Sequence, residues 1–356
     1  MNRLKLGTRI FAGALCVMVM AGCNAVTNSD STKSAPATPE ASSVVQSTSS
    51  TENTQIAELP HSDKFTVEDG VVTFTDMLGR EVSIPQKPQR VIILDYNALD
   101  LWYHAGGTAV GRTDHILVDS RADEDELGAE IKNVPVMGDA HDPVNIEMIV
   151  GQDPDLIIIM PTNKTQLEAV ESFEQYNIPY FAWDYENFDG FIENLELFTL
   201  LNDREDLYEK YASDNISRVN AVREKIAEEE PVTMVMLLPH ATNGIYALAN
   251  SGYLGNLCED MNLKNIAGVE KSTVISIESL LEIDPEWIFS RGGSGDGSEE
   301  NAKTIFESYP LWGELTAVKE GRFQHLPAEL FLYHANTRYA DAYEYLAQLV
   351  YPQIFS

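Results

Sequence analysis

A fifteen-residue pattern occurs twice in this chain, 131 positions apart, and it constrains the fold more than any other feature. Residues 145–159 read NIEMIVGQDPDLIII, and residues 276–290 read SIESLLEIDPEWIFS. Each copy opens with a residue that can cap a helix and stops at Asp-Pro, because the residue before proline is disfavoured in the helical region. Each then continues as an apolar run of strand length. Two such units predict two α/β lobes of similar build with a ligand held between them.

The rest of the folded sequence has the same alternation of strands and helices. Apolar runs at 91–94, 134–137, 156–160 and 180–183 are separated by helical patterns, which is typical of parallel α/β units. An amphipathic pattern of about 27 residues then predicts one helix of roughly 40 Å, and the alternation restarts at Val232. A small hairpin is expected at 71–75 and 81–84. The predicted fold class is α/β, with two Rossmann-like lobes joined by one long helix and a cleft between the lobes.

The N-terminus has the layout of an export signal. Arg3, Lys5 and Arg9 precede an apolar stretch that is too short to span a bilayer, and Met20-Ala21-Gly22-Cys23 follows. The segment before Cys23 resembles a bacterial lipobox, which implies a cleaved signal over 1–22 and a lipid on Cys23; plain secretion is the alternative. Residues 24–63 are crowded with Ser, Thr, Ala and Pro, so 23–63 is predicted to be a lipidated cysteine with a disordered tether.

These boundaries leave three folded parts. We expect an N-terminal lobe over 64–202, a connecting helix over 203–230 and a C-terminal lobe over 231–356.

The charge of the chain limits its partners. The formal net charge is −32, or −35 once the three basic residues leave with the signal. Such a chain repels nucleic acid, because binding a polyphosphate needs Lys and Arg. An anionic ligand is compatible only where a few arginines reverse the sign locally.

The sequence contains no pattern that indicates an enzyme. After export and lipidation Cys258 is the single cysteine left, so neither a disulfide framework nor a zinc thiolate cluster can form. The glycine-rich stretch after Arg291 lacks the spacing of a dinucleotide loop or a P-loop. We therefore expect a non-enzymatic protein without a cofactor.

The order of these parts resembles the extracytoplasmic binding proteins of ABC importers, of the rigid-helix type that collects ferric siderophores, haem and cobalamin. The resemblance covers about residues 70–352. It is carried by TFTDMLGREVSIPQKPQRVIIL at 73–94, by the two copies of the repeat, and by ANTRYADAYEYLAQLVYP at 335–352.

The resemblance also implies a role for one residue in each copy of the repeat. In that family a glutamate at the start of this helix docks against arginines of the membrane permease, which here designates Glu147 and Glu278. The alternative is that each carboxylate only favours the positive end of its helix, worth about 0.3–1 kcal/mol.

Candidate ligand contacts come from the loops after the strands, because ligands of α/β lobes gather at the carboxyl ends of strands. Aromatic faces and arginines there suit a large, partly anionic chelate. His141, His240 and Tyr333 are candidate iron ligands, with a solvated loop histidine as the alternative for His141; for the arginines the alternative is a surface salt bridge. The predicted contacts are Tyr96, Arg112, His141, Trp183, His240, Arg291, Tyr333, His334 and Arg338.

The predicted function is capture of a ferric siderophore, an iron chelate, and its delivery to an ABC permease and its ATPase. Haem is the first alternative, because of the loop of His141 and the likeness of 335–352 to haem-binding relatives, and cobalamin is the second. A sensor or adhesin that meets no permease is an alternative of another class. We expect a monomer, lipid-anchored to the cell membrane on its extracytoplasmic side.

Overall fold

Strands and helices alternate along the chain as expected for an α/β fold. The computed structural model describes residues 59–115, 118, 126–139, 142–292 and 298–355, so the predicted signal, Cys23 and most of the tether lie outside the described residues. The strands are β1 (Thr66–Glu68), β2 (Val71–Thr75), β3 (Glu81–Pro85), β4 (Val91–Ile93), β5 (Gly111–Asp114), β6 (Val136–Asp139), β7 (Leu156–Ile159), β8 (Tyr180–Ala182), β9 (Val232–His240), β10 (Gly244–Ala247), β11 (Leu263–Asn265), β12 (Thr273–Val274), β13 (Trp287–Ser290) and β14 (Phe323–His325).

Helices connect most of these strands. They are α1 (Tyr96–His104), α2 (Glu126–Lys132), α3 (Ile146–Gly151), α4 (Lys164–Gln175), α5 (Phe188–Asn202), α6 (Glu205–Ile226), α7 (Gly252–Asp260), α8 (Ile277–Ile283), α9 (Glu299–Glu307), α10 (Thr316–Lys319), α11 (Ala328–Phe331), α12 (Tyr339–Val350) and α13 (Pro352–Phe355), with 3-10 turns at Trp312–Glu314 and Asn336–Arg338.

The sheet of the first lobe is parallel, with strand order β6-β5-β4-β7-β8. Helices cover both faces, so its central strands are buried on both sides. In β7, Ile157 and Ile159 pack into the outer core with Phe173, whereas Leu156 and Ile158 face the core that is shared with the rest of the chain. Strand β5 was not predicted, because its residues GRTD include no apolar side chain.

The sheet of the second lobe has the order β12-β10-β9-β13-β14, with β11 also paired to β9. Strands β9, β13 and β14 are parallel, but β10 runs antiparallel to β9. The parallel alternation expected from Val232 onward is therefore interrupted at β10. A parallel crossover needs a dozen or more residues, and only a short turn joins His240 to Gly244, so a hairpin forms instead.

The predicted hairpin before the first lobe is confirmed. Strands β2 and β3 pair in antiparallel register from Val71 opposite Pro85 to Thr75 opposite Glu81, and β1 joins β2. The turn is organised by the buried carboxylate of Asp76, which accepts hydrogen bonds from the Arg80 backbone N–H and from its guanidinium, at 3.0 and 3.1 Å.

Both copies of the repeat fold as a capped helix followed by a buried strand, as predicted. Asn145 Oδ1 accepts from the N–H of Met148, and Ser276 Oγ accepts from the N–H of Ser279, both at 3.1 Å. The helices end because Asp153 and Asp284 take left-handed φ values of +49° and +45°. The stop is therefore a left-handed aspartate and not the extended residue that usually precedes proline.

The connecting helix α6 lies within the predicted range of 203–230 and buries one stripe, which includes Tyr208, Ala212, Val219 and Val222. This stripe belongs to a hydrophobic core that draws residues from both lobes and from α12. On the polar side, Arg218 of α6 forms a bidentate pair with Glu344 of α12 at 2.9 and 2.6 Å. The two lobes and the helix are thus packed around one continuous core.

Candidate functional site

An aromatic wall stands where the two lobes meet. The ring of Tyr96, at the start of α1, is stacked on the ring of His115 with centroids 4.1 Å apart. Tyr333 of the second lobe meets both rings edge-on, at 5.9 Å from Tyr96 and 4.2 Å from His115. His115 directly follows β5, so the failure to predict that strand also hid this histidine. The wall can present flat apolar surface to a ligand.

A buried polar network joins the lobes beside this wall. The backbone N–H of His334 donates to Asn97 Oδ1 at 3.2 Å. Asn336 Nδ2 donates to Asn97 O at 3.2 Å and to Asp100 Oδ2 at 2.5 Å, while the hydroxyl of Tyr185 donates to Asn336 Oδ1. Asn97, Asp100 and Asn336 were not predicted as part of the site. Their hydrogen bonds connect α1 of the first lobe to residues 334–336 of the second lobe.

A cavity of about 250 Å³ opens next to the network, mainly within the second lobe. Its lining combines apolar and sulfur-containing side chains with amides and hydroxyls, and it includes three predicted contacts: Arg291, Tyr333 and His334. Prominent lining residues are Met234, Met236, Leu248, Tyr253, Cys258 and Phe331 on the apolar side, and Asn97, Asn250, Ser251, Asn265, Ser272, Arg291, Tyr333 and His334 on the polar side. A concave cavity that combines apolar surface with several polar groups can hold and orient a small molecule.

Arg291 supplies a positive charge to the cavity. It follows β13, and its backbone N–H donates to Leu237 O at 3.1 Å, which anchors the residue at the carboxyl edge of the sheet. Its guanidinium has neither a hydrogen bond nor an ion pair with any residue that the structure describes. Burial lowers the pKa of Arg291, and the nearby Tyr333 opposes that shift. An arginine stays protonated at neutral pH, so this charge is available to a ligand.

His334 is a buried neutral imidazole. Its ring lies 4.2 Å from that of Tyr185 and 5.1 Å from that of Tyr253. Burial lowers the pKa of His334 to about 3, so the ring is uncharged at pH 7. Its buried Nδ1 has no hydrogen-bond partner within the described residues and lies 4.0 Å from Asp184 Oδ1.

Two carboxyl groups lie on the same side of the lobe junction. Asp95 caps α1 through Oδ1, which accepts from the N–H of Ala98 at 2.7 Å. Burial raises the pKa of Asp95 to about 7, and the charge of Asp184 adds to that rise. Burial likewise raises the pKa of Asp184 to about 6, with the charge of Glu186 contributing in the same direction. At neutral pH these two groups give the junction a negative charge.

The structure places Arg112 and Trp183 away from the cavity. The buried guanidinium of Arg112 donates to the backbone oxygens of Thr113, Ile131 and Lys132 at 2.9, 3.1 and 3.3 Å, which ties β5 to α2. Trp183 is buried in the core, where its ring packs 5.6 Å from that of Phe74. Trp183 directly follows β8, whereas Arg112 is the second residue of β5, and both side chains point into the fold. This corrects their prediction as ligand contacts.

Two other predicted contacts, Arg338 and His240, are exposed and form hydrogen bonds with residues close to them in sequence. Arg338 Nε donates to Asp341 Oδ2 at 3.2 Å, the surface pair foreseen as its alternative. His240 ends β9, and its Nδ1 accepts from the N–H groups of Thr242 and Asn243 at 3.3 Å. Neither lines the cavity. His141 lies outside the described residues.

The paired glutamates of the repeat occupy equivalent exposed positions. Glu147 is in the first turn of α3 and Glu278 is in the first turn of α8.

Among the described residues, no three His, Cys, Asp or Glu side chains come close enough together to hold a metal ion. The same residues include no helix that is both long and apolar enough to cross a membrane.

Comparisons with known proteins agree with this architecture. The sequence profile of the periplasmic binding protein family matches residues 91–330. The chain is 24% identical to the iron(3+)-hydroxamate-binding protein FhuD of Bacillus subtilis over 71% of this chain and 78% of that protein. It is 25% identical to the Fe(3+)-citrate-binding protein YfmC of the same organism, over 68% of this chain and 74% of that protein.

A solved structure shows the same fold. The periplasmic vitamin B12 binding protein BtuF of Vibrio cholerae superposes with a TM-score of 0.60 and 22% identity, covering 74% of this chain and 97% of that one.

Proposed function

The chain belongs to the periplasmic binding protein family, and from that premise we propose that it captures a ferric siderophore and delivers it to the permease of an ABC importer. The observation that carries the proposal is the cleft, where the aromatic wall of Tyr96, His115 and Tyr333 stands beside a cavity. The guanidinium of Arg291 lines that cavity and has no partner among the described residues. The names of FhuD and YfmC, two relatives that bind ferric chelates, support iron as the cargo. The proposed role is binding and not catalysis.

A binding titration tests the cargo. Purified protein is titrated with a ferric hydroxamate, haemin and cyanocobalamin, and binding is followed by tryptophan fluorescence and by the visible spectrum of the complex. We expect the ferric chelate to bind and Tyr333→Ala to weaken it by about 30-fold, as for an aromatic anchor. Arg338→Gln, which changes an exposed paired arginine, is the control. Binding of haemin or cyanocobalamin without any ferric chelate would replace the proposal with the corresponding alternative.

We also propose that Glu147 and Glu278 dock the loaded protein on the permease. Both glutamates are exposed, and both lie in the first turn of their helices. The repeat therefore places one such carboxylate at the equivalent position of each lobe. A permease that presents arginines to these carboxylates would use electrostatic complementarity to orient the complex.

The docking proposal is tested by a double variant in cells. We expect Glu147→Gln with Glu278→Gln to abolish uptake of the iron chelate while its dissociation constant stays unchanged. The control is Glu171→Gln with Glu300→Gln, two exposed helix glutamates, one in each lobe. Uptake that survives the first pair with binding intact would contradict the permease role and favour a sensor or adhesin.

The lipid anchor belongs to the same proposal. The lipobox-like segment before Cys23 supports attachment to the outer side of the cell membrane through a lipid on that thiol. Radiolabelled palmitate should enter the protein, and Cys23→Ser should stop the labelling and move the protein into the soluble extracytoplasmic fraction. Labelling that persists in the variant would exclude Cys23 as the attachment site.

A further inference from the structure

A second cavity lies apart from the cleft, among four helices. Its volume is about 370 Å³, and its lining comes from the start of α5, the later part of α6, α7 and the first half of α12. Helix α7 contributes to both cavities, but no described residue lines both of them. The first lobe, the connecting helix and the second lobe therefore all contribute to this second cavity, and the proposed function makes no use of it.

The lining of the second cavity carries more negative than positive charge. It includes the carboxylates of Asp189, Glu259 and Asp260 and one guanidinium, that of Arg223. This guanidinium is paired, because Arg223 Nε donates to Asp260 Oδ2 at 2.9 Å. Asp189 and Glu259 are exposed and have no ion pair with any residue that the structure describes. Two carboxylates of the lining are therefore available to a cation.

The surroundings of Arg223 already favour positive charge. Its guanidinium lies over the rings of Phe188 and Tyr343, 5.2 and 5.7 Å from their centroids, and both rings line the cavity. Burial acts to lower the pKa of Arg223, but the hydrogen bond to Asp260 and the charges of Asp260 and Asp189 hold that pKa above its ordinary value. Ring faces and carboxylates attract the positive charge of a ligand in the same way.

One buried hydroxyl beside this cavity lacks a hydrogen bond. Tyr339 lines the cavity and is 0% exposed, and its Oη has no partner among the described residues. The three tyrosines whose rings pack against it all donate their hydroxyls in hydrogen bonds: Tyr185, Tyr253 and Tyr343. Buried polar atoms are nearly always paired, so the oxygen of Tyr339 indicates a partner that is not part of the chain. Because the ring is buried, the ligand group that pairs with it must be small.

We infer that the second cavity binds a small primary amine or diamine, attracted by the carboxylates of Asp189 and Glu259 and hydrogen-bonded to the hydroxyl of Tyr339. A primary ammonium group is small, carries one positive charge and has three N–H donors, and a diamine provides one such group for each carboxylate. A metal ion fits less well, because no three His, Cys, Asp or Glu side chains of the described chain converge. The inference does not depend on which cargo the cleft takes.

Calorimetric titration of the purified protein with putrescine tests the inference. The comparison probe is tetramethonium, the bis-quaternary analogue, which has the same two charges but no N–H donor. We expect putrescine to bind about tenfold more tightly than tetramethonium and to raise the melting temperature, since a ligand that binds the folded state stabilises it. Absence of putrescine binding, or equal binding of the two probes, would overturn the inference. The proposed function is measured with ferric chelates, so these outcomes leave it standing.

A pair of double variants separates local attraction from net charge. Asp189→Asn with Glu259→Gln should weaken putrescine binding about tenfold, because charge-assisted hydrogen bonds to the ligand are lost. The control is Glu171→Gln with Glu300→Gln, which removes two exposed carboxylates outside the cavity and should leave the affinity unchanged. Equal losses from the two double variants would trace binding to the charge of the whole chain and would contradict a site in this cavity.

Two single variants locate the bound amine. Tyr339→Phe should weaken putrescine binding about fivefold without lowering the melting temperature of the free protein, because the hydroxyl that it removes has no hydrogen bond to lose. Asp184→Asn changes a carboxyl beside the cleft and should have no effect on this binding. Unchanged affinity in Tyr339→Phe, or a loss in Asp184→Asn instead, would place the amine elsewhere and overturn the inference.

Discussion

Replacing Asn336 by alanine should destabilise the whole protein, because this side chain connects the lobes at a strained position. Asn336 is 1% exposed and has a left-handed φ of +49°. Its amide donates to Asp100 and Asn97 and accepts from the hydroxyl of Tyr185. Alanine removes all three hydrogen bonds and leaves a side chain that tolerates this φ poorly.

The expected cost follows from these two effects. A non-glycine residue without a polar side chain in the left-handed region costs about 1–2 kcal/mol. The buried hydroxyl of Tyr185 loses its acceptor at about 1–3 kcal/mol, and the two lost donations add about 1 kcal/mol together. The sum is about 3–6 kcal/mol, a large share of the stability of a typical protein.

Urea denaturation followed by tryptophan fluorescence measures the loss. Asn336→Gly is the matched control, since glycine adopts φ of +49° without strain and loses only the hydrogen bonds. We expect the glycine variant to be about 1 kcal/mol more stable than the alanine variant. The reasoning is refuted if alanine costs less than about 1 kcal/mol, or if alanine is the more stable of the two.

Two further substitutions test groups beside the cleft. Asp95→Asn keeps the acceptor that caps α1, but it removes a carboxyl whose pKa burial raises from 3.8 to about 7. The stability that Asp95 provides is present below pH 3.8 and is lost as the pH rises through about 7, so the variant should match the wild type near pH 3.8 and exceed it at pH 8 by on the order of 2–4 kcal/mol. Unfolding curves at the two pH values check this, and an equal difference at both would contradict it. Arg112→Ala should lower stability by about 3 kcal/mol, because three buried donations from a charged group are lost, while ligand affinity stays the same. Calorimetric melting with a parallel binding titration separates these effects, and weaker binding without a lower melting temperature would restore Arg112 to the ligand site.

The parts of the fold that could be predicted are those with strong local signals. The capping residues and Asp-Pro stops identify the repeat, and the period of apolar residues identifies α6. Strand β5 had no such signal, because its burial depends on the two strands that flank it. The sequence of β10 indicates a strand but does not indicate its direction. The short turn between β9 and β10 makes the two strands antiparallel.

The candidate site was predictable by position but not by side-chain direction. The strand-end rule leads to Arg291, which lines the cavity, and it leads equally to Trp183, whose side chain enters the core. Successive side chains of a strand point to opposite faces. A prediction that is wrong by one residue therefore assigns a core side chain to the cleft. Asn97 and Asn336 are 239 positions apart. Nothing in the sequence around Asn97 indicates that its backbone oxygen will accept a hydrogen bond from the side-chain amide of Asn336.

The continuous core also governs when the chain can finish folding. Tyr339, which opens α12, packs against Tyr185 and Phe191 of the first lobe, at 6.5 and 5.4 Å between ring centroids. Contacts between residues so far apart in sequence form late and slow the folding of a chain. During synthesis the first lobe must therefore wait, with these aromatic rings exposed, until α12 has been made. A copy cut short before Tyr339 would be a substrate for proteases even though most of both sheets is present.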